Sequence, residues 1–143
     1  MVPRMIPLLL ATLLAGSSPD VPFAVRIISL EYPRLGALAR ITGTVVLRVR
    51  INSDGTVSRV NALSGHPVLV EAAEENIKRW KFSPPRPGQS PGGSEFDFTY
   101  IFKLEGVTDT PHPYCELVYE YPDKVTITSK VRSGGGDSPS HRR

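Results

Sequence analysis

Ser64 and His66 come nearest to a nucleophile and its base in this chain. Such a pair works when the base lies within hydrogen-bond reach of the hydroxyl and is itself oriented by a third group. Here the two stand two positions apart in the turn "SGHP", and no acid has a spacing that would orient the imidazole. The glycine patterns of a nucleophile elbow and of a phosphate loop are both missing. His66, His112 and His141 lie too far apart for metal-ligand spacing. Cys115, the single cysteine, can close no disulfide within the chain and is too little for a structural zinc site. Glu74 and Glu75 fall on the solvated side of a helix. These residues predict a protein that is not an enzyme and takes no cofactor and no metal. His66 reads instead as the residue where a helix begins.

The elements around these residues are legible from periodicity. Pro33 suits the first turn of a short helix over Pro33–Arg40, with Leu35, Leu38 and Ala39 on its packed side. From Ile41 to Asn52 the chain alternates: Ile41, Gly43, Val45, Leu47, Val49 and Ile51 point one way, which predicts a half-buried strand. "NSDG" at 52–55 is a turn that uses Gly55, and Val57 to Leu63 is the returning strand, its uneven spacing suggesting a bulge. "SGHPVLVEAAEENIKRW" then reads as a helix with Leu69, Ala73, Ile77 and Trp80 on one face. That face assigns Trp80 to the core rather than to an exposed aromatic pair with Phe82. Pro84 and Pro85 stop the helix. A third strand, Glu95–Leu104, carries Phe96, Phe98, Tyr100, Phe102 and Leu104 on one side. Within 107–132 a hairpin is expected, with Pro122 and Asp123 in its turn.

A chain of 143 residues supplies one modest core. Its net charge of +3 comes from scattered cations rather than from a basic patch interleaved with aromatics, so nucleic acid is not an expected partner. "MVPRMIPLLLATLLAGSSPD" has Arg4, an apolar run and then small residues, the pattern of a secretory leader. The run spans roughly 18 Å as a helix, against about 30 Å of bilayer core. The expectation is a signal peptide over 1–17 and a mature chain exported to the periplasm.

"YP" at 32–33, "GTVVLRVRINSDGTV" at 43–57, "SGHPVLVEAA" at 64–73, "RWKFSPPRPG" at 79–88 and "FDFTYIFKLEG" at 96–106 occur in an order and spacing that resemble the TonB C-terminal domain family. The resemblance implies an α+β fold, with two helices packed on one face of a three-stranded antiparallel sheet. It divides the chain into a short linker (18–30), the domain (31–106), an extension (107–132) with its expected hairpin, and a disordered tail (133–143). It implies capture of an extended, TonB-box-like peptide of an outer-membrane TonB-dependent receptor by strand addition, in energy-coupled transport across the envelope. The acceptor would be the outer edge of the third strand, read through Asp97, Thr99, Ile101 and Lys103. Leu30, Glu31 and Tyr32, ahead of the first helix, resemble the region that also touches the receptor. From Ser18 to Glu31 the chain reaches about 45 Å at most, short of a force-transmitting spacer, so the expectation is a module exported alone beside a membrane-anchored partner. Two alternatives stay open: a periplasmic structural or interaction domain whose edge is covered by its own Leu117–Val131, and a small hydrolase.

Overall fold

The alternating residues of Gly43–Ile51 form the strand around which the molecule is built, β2, with Val45, Leu47, Val49 and Ile51 fully buried. The computed structural model describes residues 21–86, 93–108 and 115–132. The expected leader, the tail, His112 and His141 lie outside the described residues. In chain order the elements are β1 (Ala24–Arg26), α1 (Arg34–Leu38), β2, β3 (Val57–Ser64), α2 (Pro67–Ile77), β4 (Lys81–Phe82), β5 (Ser94–Thr108), β6 (Cys115–Glu120) and β7 (Lys124–Arg132).

β2 and β3 pair antiparallel, with register shifts at Val46/Leu47 and Arg50/Ile51 that mark bulges. The turn between them needs Gly55: at φ 85° a Cβ there would sit 2.0 Å from the Phe82 carbonyl oxygen. Gly55 in turn accepts a hydrogen bond from the Phe82 amide at 2.9 Å. On its other side β2 pairs antiparallel with β5, setting Val45 opposite Tyr100 and Leu47 opposite Phe98.

The sheet then departs from expectation. It has five strands in the order β3-β2-β5-β7-β6, not three, and it is mixed: β7 runs parallel to β5 and antiparallel to β6. The physical reason lies in the extension itself. β7 alternates Val125 and Ile127 with threonines, and both apolar side chains are fully buried, joining the face of Tyr100 and Phe102. Burying them is worth roughly 1.5–3 kcal/mol each, and β7 also satisfies the backbone groups that a bare β5 edge would leave to water.

Two helices cover one face of this sheet. α2 starts at His66, whose Nδ1 accepts from the Val68 amide at 3.3 Å, and Pro67 sits in its first turn. It buries Leu69, Ala73, Asn76 and Ile77. The helix ends at Ile77, short of the Trp80 suggested by periodicity, because Lys81 and Phe82 turn extended to pair with β1. Trp80 nonetheless lies in the core, edge-on to Phe98 at 5.4 Å. α1 packs differently from its sequence pattern: Leu35 and Leu38 are exposed, and the buried residue is Gly36. Gly36 lies against the Tyr32 ring and Leu69, which a Cβ there would meet at 3.4 and 3.5 Å, close to ordinary contact, so little more than a methyl group fits at that position.

Candidate functional site

The turn that holds Ser64 and His66 joins β3 to α2. His66 caps α2 through Nδ1, and Ser64 closes β3 opposite Val46. Among the described residues no group of three His, Cys, Asp or Glu side chains could hold a metal, and no helix is long and apolar enough to cross a membrane.

The expected acceptor edge is filled. The Thr99 amide donates to the Asp123 carbonyl at 2.8 Å, and Ile101 and Lys103 lie in register with Thr126 and Thr128 of β7. The premise of an open edge along Phe96–Leu104 is therefore corrected. Asp97 faces the other strand: its carboxylate takes a two-pronged contact from Arg48 of β2, at 2.9 Å from Nε and 3.2 Å from Nη2. That hydrogen-bonded pair holds the Asp97 carboxyl below the usual carboxylate range. Tyr32 belongs to the core. Its hydroxyl donates to the Ile41 carbonyl, its ring stands edge-on to Phe102 at 5.5 Å, and burial raises its pKa. The Leu30 carbonyl accepts from the Cys115 thiol at 3.2 Å, and Glu31 is exposed. The structure thus separates the seven candidates: Asp97, Thr99, Ile101 and Lys103 lie within the sheet, and Leu30, Glu31 and Tyr32 lie in the strap ahead of α1.

That strap is held by a buried polar hub. Asn76 Oδ1 accepts from Trp80 Nε1 at 2.8 Å and from the Tyr100 hydroxyl at 2.9 Å. Its Nδ2 donates to the Ile28 and Ser29 carbonyls at 3.0 and 3.2 Å. Further along, the Ala24 amide donates to the Tyr119 hydroxyl at 3.2 Å. Residues 24–30 thus run antiparallel to β6 across its helix-side face, tied at Tyr119 and at Cys115. Burial under the strap raises the pKa of both the Cys115 thiol and Tyr119.

With β5 covered, the sheet ends in β3 on one side and β6 on the other. β3 is a poor template for an added strand, because its two register shifts twist the edge. β6 is a good one. It keeps unbroken register with β7 from Cys115↔Ser129 to Glu120↔Lys124, and among the described residues its backbone pairs with no other strand. Glu116, Val118 and Glu120 occupy the sheet face away from the helices, while Leu117 and Tyr119 are half-buried on the helix side. The alternation of "CELVYE" carried this information in the sequence. What it lacked was any sign that this strand, rather than the aromatic one, would end the sheet.

Residues 29–104 match the family model described as Gram-negative bacterial TonB protein C-terminal. The chain is 31% identical over 81 residues to Protein TonB of Escherichia coli (strain K12), covering 55% of this chain and 32% of that protein. It is 36% identical over 76 residues to Protein tonB2 of Pseudomonas aeruginosa, covering 52% of this chain and 28% of that one. It is 35% identical over 78 residues to Protein TonB of Vibrio cholerae serotype O1, covering 53% and 32%. The chain thus spans about a third of the length of the curated relatives it matches. The solution NMR structure of the Pseudomonas aeruginosa TonB CTD aligns with a TM-score of 0.44 and 22% identity, over 59% of this chain and 88% of that one.

Proposed function

The chain belongs to the family of Gram-negative bacterial TonB protein C-terminal domains, and from that premise we propose that it is a non-enzymatic periplasmic module of energy-coupled transport that captures an extended peptide of an outer-membrane receptor by strand addition on β6. The observation that carries this reading is the regular outer side of Cys115–Glu120 at the end of the sheet, whose backbone pairs with no other strand among the described residues. An unpaired strand edge offers N–H and C=O groups at a fixed spacing, and an incoming strand satisfies them. Each such bond contributes roughly 0.5–1.5 kcal/mol net, so a strand of this length, after its ordering costs, binds on the order of micromolar.

The test is photo-crosslinking in the cell, with a photoreactive residue in place of Val118 and, separately, of Ser58 on β3. Crosslinks from position 118 to an outer-membrane transporter are the expected result. Crosslinks from position 58 alone, or none to any envelope protein, would remove β6 as the site. Displacement of the hairpin is the competing route, since it would return the peptide to Thr99, Ile101 and Lys103. In that case a chain ending at Thr108 would bind receptor peptide more tightly than the full chain. The full burial of Val125 and Ile127 opposes that route.

A further inference from the structure

We propose that the outer edge of β6 selects an extended peptide presenting a cation, an apolar residue and a second cation at alternate positions, with apolar residues between them. The inference rests on the strand-addition reading and names the chemistry of its partner. Residues directly opposite in paired strands share a face and interact, opposite charges favourably and like charges unfavourably. On the face away from the helices β6 presents Glu116, Val118 and Glu120 in alternation, and Val118 is 45% exposed. The inner neighbour already satisfies part of this row. β7 sets Lys124 opposite Glu120, where the two close at 2.9 Å, and Thr126 opposite Val118. Opposite Glu116 it sets only Thr128, and Glu116 has no cation partner among the described residues. A strand added outside β6 can set a cation opposite Glu116 and a second one opposite Glu120.

The helix-side face sets the intervening positions. Leu117 and Tyr119 are half-buried there beneath the strap. The large apolar side chains left exposed along the strap are Phe23, Val25 and Ile27, beside exposed Arg26 and Ser29, with the Phe23 ring 6.1 Å from that of Tyr121, itself 71% exposed. Peptide side chains pointing that way meet a mainly apolar and aromatic surface, and the charge of Arg26 disfavours a cation there.

A second copy of the chain fits this edge poorly. Antiparallel pairing of two β6 strands about Val118 places Glu116 of each copy opposite Glu120 of the other, and in-register parallel pairing stacks each glutamate on its twin. The acidic row also lies outside the residues that match the family model, so it belongs to this chain's own extension.

The full chain is titrated with two capped peptides, one with the core Lys-Leu-Val-Leu-Lys and one with Glu-Leu-Val-Leu-Glu, and the titrations are repeated with Glu116→Lys. The lysine peptide is expected to bind the parent about tenfold more tightly, an advantage that shrinks in about 0.5 M salt. Glu116 is exposed, so the variant keeps its circular dichroism and loses most of that preference. Equal binding of the two peptides overturns the partner chemistry and leaves strand addition standing. Binding of neither overturns strand addition as well. Self-association in sedimentation that Val118→Arg abolishes would overturn the proposal in favour of a second copy.

Discussion

Asn76 joins three parts of the chain through one amide. Its oxygen serves Trp80 and Tyr100, and its nitrogen serves the carbonyls of Ile28 and Ser29. Every hydrogen-bonding position of the side chain is filled in a site with no exposure to water, so removing it strands several partners at once. Asn76→Ala is expected to cost about 3 kcal/mol in urea denaturation, and Tyr100→Phe, which removes one donor, about 1 kcal/mol. Asn76 stands three positions after Ala73 and four before Trp80, so the helical period extends to it. That period could not show the partners, because two of them are backbone carbonyls nearly fifty positions upstream with no side-chain signature. Charge at this scale acts through Asp97 and Asp54. Arg48 holds the first below the usual carboxylate range and hydrogen bonds from Thr56 hold the second there. A carboxyl depressed by folding stabilises above its unfolded pKa and loses that contribution as pH falls through the folded value. The melting temperature should therefore be flat from about pH 7 to 5 and drop below about pH 4, and Asp97→Asn should make the drop shallower. Both groups are exposed, so the effect is small.

At the level of elements, the decisive contact is between β5 and β7. The strands of 41–63 and 95–104 were legible because alternation of side chains is a local property of the backbone. Which strand lies beside which was not, since a parallel partner for β5 has to return across the whole length of β6 before it can pair. The alternation of Val125 and Ile127 marked a strand with one apolar face without saying where that face would go. α1 gave the opposite lesson: its leucines suggested the packed side, but the helix turns Gly36 toward Tyr32 and Leu69 and leaves Leu35 and Leu38 in solvent. Two substitutions test the hairpin as part of the core. Ile127→Ala should cost about 3 kcal/mol in chemical denaturation. Thr99→Pro removes the amide that donates to Asp123, so the variant should melt well below the parent and show a loosened hairpin by amide exchange. By contrast, of Leu117→Pro and Val118→Pro, the one whose N–H points outward should keep the fold and lose peptide binding, checked by titration beside circular dichroism.

The described residues form a twisted sheet with helices and strap on one face, ended on one side by a bulged strand and on the other by a regular one. Its stability should be graded accordingly. Amides of β2, β5 and β7, flanked by strands on both sides, should be the last to exchange with deuterium, and those on the outer side of β6 among the first. Saturating peptide should slow exchange in β6 and leave β3 unchanged, and a reversed pattern would argue against the docking edge. The position of β7 also has a meaning in time. A ribosome completes β6 before β7, yet β7 is the strand that attaches β6 to the sheet. Until residues 124–132 have emerged, β6 has no neighbour to pair with, and β5 carries a bare hydrophobic edge of the kind that invites pairing with other chains. The last described strand to be made is thus the one that joins two halves already waiting. A chain halted at Tyr121 would possess the docking strand without any sheet to hold it.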